Sequence, residues 1–160
     1  MDATDIKIIN GLIDNSRISL SDLSAAVHLS VSAVSERIRK LEKEGIIDRY
    51  TAVINYDRLG YDVTAYMNVI LDDPAYKENV IRFANMSTDI VECDYIAGDY
   101  DFLLKINTQN THTLEKVLTS VRSIQGVGRT RTMLVLSKHK EAFSPKLNFG
   151  KNITKLVDQL

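Results

Sequence analysis

A single cysteine, Cys93, leaves no partner for an internal disulfide, which fits a chain that works in a reducing cytoplasm. Two prolines and seven glycines in 160 residues are too few to build a long flexible linker. The first ten residues carry Asp2 and Asp5 where a secretory signal would be basic, so no signal peptide is expected. No apolar run reaches the roughly 18–20 residues that cross a bilayer, and no membrane partner is expected. Charge of one sign is not in excess either, at a formal net −1. That balance permits nucleic-acid binding only through a local basic patch, which oligomerisation would repeat.

Catalytic signatures are also missing. His28, His112 and His139 are scattered without metal-ligand spacing, and there is no glycine-rich phosphate loop or nucleophile elbow. Cys93 falls in an expected strand, where it reads as a small hydrophobe. No enzyme, metal or cofactor is expected. What is present is an ordinary globular composition, 44% hydrophobic and 26% charged, on a chain long enough to bury a core.

The first half reads helical. Ile6, Ile9, Leu12 and Ile13 recur at helical spacing after Thr4, a candidate cap. Ser19 precedes a second helix and has Asp22 three residues on, a relative of the capping box. In "LSVSAVSERIRKLEKEGII", Ser30 can cap a third helix whose Val31, Val34, Ile38 and Leu41 form one buried face. Ser32, Ala33, Ser35, Glu36, Arg37, Arg39, Lys40 and Lys43 are then expected to look outward, and Gly45 supplies the stop. The β-branched stretch "IIDRYTAVIN" reads as a short strand or hairpin beside these helices, and "YDRLGY" as a hinge.

The second half alternates differently. Val63, Ala65, Met67, Val69 and Leu71 line one face of a strand, and "DDPA" breaks it. Tyr76, Val80 and Phe83 mark a helix, followed by strands over 90–97 and 102–107 joined at "GDYD". A helix over 113–124 with Leu114, Val117, Leu118 and Val121 inward leads to a last strand over 126–137. The order β-α-β-β-α-β is the split βαβ arrangement, an α+β fold. Apolar residues on both sheet faces would require helices on one side and a second subunit on the other. In the tail, "KNITKLVDQL" could form a short helix through Ile153, Leu156 and Val157.

Helix, tight turn, helix, the second ending in basic residues, is the plan of a helix-turn-helix DNA reader. Small residues at the start of the third helix, Ser30, Ser32 and Ser35, allow close approach to the groove, and their hydroxyls serve either kind of base. Glu36 shares that surface, Arg37 and Arg39 offer forks for phosphate or guanine, and Lys40 a point charge. The plainer role is a solvated face laced by a Glu36–Lys40 pair at i,i+4. The capped helix just upstream favours double-stranded DNA. The "GDYD" turn has its own plain explanation, since glycine and aspartate are what a hairpin turn requires.

From Ile6 to Leu136 the chain resembles the Lrp/AsnC, or feast/famine, family of transcription regulators. The likeness lies in "TDIKIINGLIDNSRISLSDLSAAVHLS", "VSERIRKLEKEGII", "YTAVINYDRLGY" and "YIAGDYDFLLKI". It implies a winged helix-turn-helix over 1–54, a hinge over 55–62, and a ferredoxin-like βαββαβ sensing and oligomerisation domain over 63–140, with a tail over 141–160. It also implies homodimers that assemble to octamers and a small effector, an amino acid, near Gly98, Asp99, Tyr100 and Asp101. Thr130 and Thr132 are secondary effector candidates. Such proteins usually carry glycine in the turn where this chain has His28, which a left-handed backbone there would strain. Two alternatives stand beside the regulator. One is a haem-binding enzyme like the sirohaem decarboxylases of the same superfamily, which the retained basic helix disfavours. The other is a sensing module without DNA binding, against which the Arg37–Arg39–Lys40 group argues.

Overall fold

The computed structural model describes residues 1–148, so the tail helix expected through Ile153, Leu156 and Val157 lies outside the described residues. The chain divides into two compact units. The first contains residues 1–53 together with the start of the tail from Lys140, and the second runs from Ile54 to His139.

Three helices make the first unit: α1 (Ala3–Asp14), α2 (Leu20–Val27) and α3 (Val31–Lys43). Ile8, Leu23, Val27 and Val34 form its core, with Leu12, Ile18 and Ile38 packed against them. Gly11 keeps α1 close to α2, because a Cβ there would stand 2.8 Å from the Leu23 side chain. The N-cap of α1 is Asp2, not Thr4, which sits inside the first turn. Asp2 reaches two free amides at once, those of Thr4 and Asp5, and Asp5 reciprocates on the Asp2 amide. Ser19 and Ser30 cap α2 and α3 as the sequence suggests. Between them His28 is left-handed, at φ 57° and ψ 44°.

The C-terminus of α3 closes in a Schellman motif. Ile46 N–H donates to Leu41 C=O at 2.9 Å and Gly45 N–H to Glu42 C=O at 3.0 Å, with Gly45 at φ +69°. Beyond it the expected strand does not form: residues 46–55 carry no ladder, and Ile46, Tyr50, Val53 and Ile54 are exposed. A β-branched run needs a neighbouring strand, and the described residues of this unit offer none. Tyr50 is held instead by its hydroxyl, which donates to Glu42 at 2.9 Å. Burial, then that carboxylate, push its pKa up to about 12.

In the second unit the expected hinge is a 3-10 turn, Tyr56–Leu59. It leads to β1 (Val63–Leu71), a 3-10 turn at Pro74–Tyr76, α4 (Lys77–Met86), β2 (Ile90–Tyr95), β3 (Phe102–Thr108), α5 (Thr111–Arg122) and β4 (Val127–Leu134). All neighbouring strands are antiparallel, in the order β2-β3-β1-β4. The crossover through α4 leaves a gap that β3 fills, the split βαβ topology. Ala65, Met67, Val69 and Leu71 of β1 meet Phe102, Leu104 and Ile106 of β3 beneath Val80, Val117 and Val121 of the helices.

Two strands end earlier than their composition suggests. β2 stops at Tyr95 because its only neighbour, β3, begins opposite it at Phe102. β4 stops at Leu134, where its pairing with β1 runs out at Ala65. The sheet's other face is mixed in polarity, correcting the expectation of two apolar faces. Thr64 donates to Asn107 there at 3.0 Å, both buried, among half-buried Tyr66, Ile70 and Leu103.

Candidate nucleic-acid interface and sensing turn

Helical geometry, about 100° per residue, sorts the side chains of α3. Val34, Ile38 and Leu41 turn to the core, while Ser32, Glu36, Arg39 and Lys43 project from the opposite side and are exposed. Lys40 is exposed beside them, and Ser35 is half-buried. Ser30 Oγ accepts the Ala33 amide at 3.2 Å and shares a 3.0 Å hydrogen bond with Ser32 Oγ, so two of the three serines already organise the helix start. Lys40 lies 3.8 Å from Glu44, not against Glu36 as its spacing suggested. Among the described residues, neither Glu36 nor Arg39 makes a side-chain ion pair. Ser30, Ser32, Glu36, Arg39 and Lys40 therefore share one accessible surface.

Two expectations for this helix need correction. Val31, expected in the core, is 45% exposed. It lies in the first turn, where the chain enters the helix and no element packs over it. Arg37, expected to look outward, points to the start of α1. Its Nη1 donates to Asp2 Oδ2 at 2.8 Å and to Asp5 Oδ1 at 2.6 Å. The spacing contained the signal: Arg37 is i+3 from Val34 and i−4 from Leu41, on the flank of the buried stripe. The Asp5 amide, followed by the Arg37 guanidinium, holds the Asp2 carboxyl below its ordinary value. The two carboxylates raise Arg37 further.

The turn that carries the effector candidates lies between β2 and β3. Asp101 anchors it to the end of β1: its amide donates to Val69 C=O at 2.9 Å, and its Oδ2 accepts the Leu71 amide at 2.7 Å. Its carbonyl accepts the Ile96 amide at 2.9 Å, closing the turn. Gly98 and Asp99 are exposed, and Tyr100 is half-buried. Thr130 pairs with Val69 from β4, on the far side of β1, so Asp101 and Thr130 flank the same residue. Thr130 Oγ1 accepts from Arg122 Nε at 3.2 Å, whereas buried Thr132 Oγ1 finds no partner among the described residues. Cys93 belongs elsewhere, beside a recess of about 90 Å³ lined by Ala84, Ile90 and Glu92. Burial and then Asp94 raise its thiol pKa, which suits the inert role expected for it.

A capped helix pair presenting basic residues, joined to a split βαβ unit, defines a DNA-binding protein with a second, sensing-type domain. Residues 1–48 match the winged helix-turn-helix DNA-binding family, and residues 64–145 match the Lrp/AsnC ligand-binding domain. The chain is 37% identical over 141 residues to the HTH-type transcriptional regulator FL11 of Pyrococcus furiosus, covering 88% of this chain and 93% of that one. It is 35% identical over 144 residues to the leucine-responsive regulatory protein of Haemophilus influenzae, covering 88% and 87%. Its fold superposes on a Neisseria meningitidis transcriptional regulator in complex with L-methionine, with TM-score 0.88, 27% identity and 92% and 97% of the two chains covered. It also superposes on a Mycobacterium tuberculosis feast or famine regulatory protein complexed with L-methionine, with TM-score 0.84, 27% identity and 91% and 99% covered. The chain belongs to the Lrp/AsnC family and is a DNA-binding transcription regulator of that type. Both of these relatives are named as regulators.

Proposed function

We propose that this regulator acts in the cytoplasm as a homodimer or a higher assembly of dimers, and that a small effector, an amino acid, adjusts its hold on DNA. The observation that carries the DNA side is the exposed surface of α3, where Ser32, Glu36, Arg39 and Lys40 are presented by a helix held from behind. Ser30 and Ser35 border that surface. Val31 joins it, since an exposed apolar side chain in the first turn suits the methyl group of thymine. A two-fold dimer would set two such helices on half-sites one helical turn, roughly 34 Å, apart.

The effector reading rests on Gly98, Asp99 and Tyr100, exposed or half-buried at the end of the sheet, with Thr130 and Thr132 across β1. Asp101 contributes by fixing the turn, because its carboxylate already holds the Leu71 amide. Two structural neighbours carry L-methionine, so that amino acid is the first to try. An effector can shift DNA binding only by preferring one assembly over another.

Arg39→Ala tests the reading. Operator affinity should fall by about 1–3 kcal/mol if Arg39 touches a base. If it touches phosphate, all sequences should weaken alike and the salt slope should flatten by about one unit. An unchanged gel shift, with helicity intact by circular dichroism, would remove α3 from the interface.

A further inference from the structure

We infer that Arg37 is a positioning residue, and that the Asp2–Asp5 capping box of α1 serves DNA recognition by fixing the rotation of α3 about its axis. The inference rests on the reading of α3 as the helix that meets DNA. The apolar anchors of α3 begin only at Val34, because Val31 is exposed. Apolar contacts are non-directional and resist sliding or rolling poorly, whereas charge-assisted hydrogen bonds are directional. Fully buried Val34 fixes where the first turn sits, and Arg37, one turn further on, fixes how the helix is rolled about that anchor and so where Ser32 and Ser35 face.

The receiving site is unusually well defined. Asp2 Oδ1 accepts the amides of Thr4 at 2.8 Å and Asp5 at 2.9 Å, leaving Oδ2 for Arg37. Asp5 Oδ2 accepts the Asp2 amide at 2.7 Å, leaving Oδ1 for the same Arg37 nitrogen. Every carboxylate oxygen thus has a partner, and one oxygen of each is fixed by the backbone that starts α1. The Asp5 side chain is only 13% accessible and Arg37 34%. A guanidinium facing two carboxylates has its charge more than balanced, so it offers little to a phosphate. One helix start thereby sets the bearing of another helix.

The inference predicts a change opposite in sign to simple electrostatics. Removing an acidic side chain from a protein that binds DNA ordinarily tightens binding. Asp2→Asn should instead weaken operator binding by about two- to fivefold, since it loosens α3. It should not weaken binding to unrelated DNA, and the salt slope should stay unchanged. Asparagine caps helices as well as aspartate does, so α1 should survive, as circular dichroism would show. Arg37→Gln should show the same loss of discrimination, and the double variant should be no worse than either alone. Arg37→Lys should restore part of it. Operator binding that tightens or stays unchanged in Asp2→Asn would overturn the inference. So would an Arg37→Gln variant whose salt slope flattens by about one unit, because that marks a phosphate contact. An Arg39→Ala variant with unaltered DNA binding would instead sink the reading of α3 on which this rests.

Discussion

His28 occupies a backbone position that a glycine would hold without strain. At φ 57° and ψ 44° its Cβ crowds the following carbonyl, yet the turn between α2 and α3 requires that conformation to bring the two helices into register. Replacing it with glycine should stabilise the first unit by about 0.5–1 kcal/mol, the strain relieved less the added freedom of the unfolded chain, in urea unfolding. The sequence alone marks this residue, because it stands where the resembling family usually has glycine. Arg37 was misjudged for a different reason. Its residue type suggests an exposed face, but its angle places it on the flank of the buried stripe. The acids that receive it lie more than thirty positions upstream, a pairing that only the folded chain displays.

At the scale of the element, legibility follows the range of the interactions. The three caps and stops of α2 and α3 were readable because Ser19, Ser30 and Gly45 act within four residues of themselves. Strand β1 was readable to the residue, since Ala65, Met67, Val69 and Leu71 alternate onto the face that the helices cover. The failures are cases where a distant strand decides: the run over 46–55, which finds no neighbour among the described residues, and the end of β2, which its neighbour cuts short. The junction of α5 and β4 shows how tight such joins are. Gly126 sits at φ +93°, and a Cβ there would overlap the Tyr76 ring. Gly126→Ala should cost about 2–4 kcal/mol, combining overpacking with backbone strain, as a lower midpoint in denaturant with an unchanged slope.

The whole molecule has an order that no stretch of sequence announces. The start of the tail returns to the first unit, where Leu147 and Asn10 exchange two hydrogen bonds of 2.9 Å each and Lys146 pairs with Asp14 at 2.7 Å. Leu147 and Asn10 stand 137 residues apart and Lys146 and Asp14 132, distances over which no local sequence pattern reports a pairing. Asn10→Ala should destabilise the first unit by about 1–2 kcal/mol, since the two part-buried hydrogen bonds count and the exposed ion pair adds little. Calorimetry should show the first unit's transition move down while the second unit's stays in place. The fold of the second unit, by contrast, was visible from its order of elements alone, because the split βαβ rule limits how six such elements can be threaded.

The returning tail has a consequence for how the chain would break. Because the amino-terminal helices are reached by the polypeptide from two directions, the sheet-bearing part is in effect an insert spliced between their beginning and their final strap. A nick in the stretch that joins them would cut the covalent path once, yet the strap would still grip the first helix. Such a protein parts company with its reading head only when two separate attachments give way.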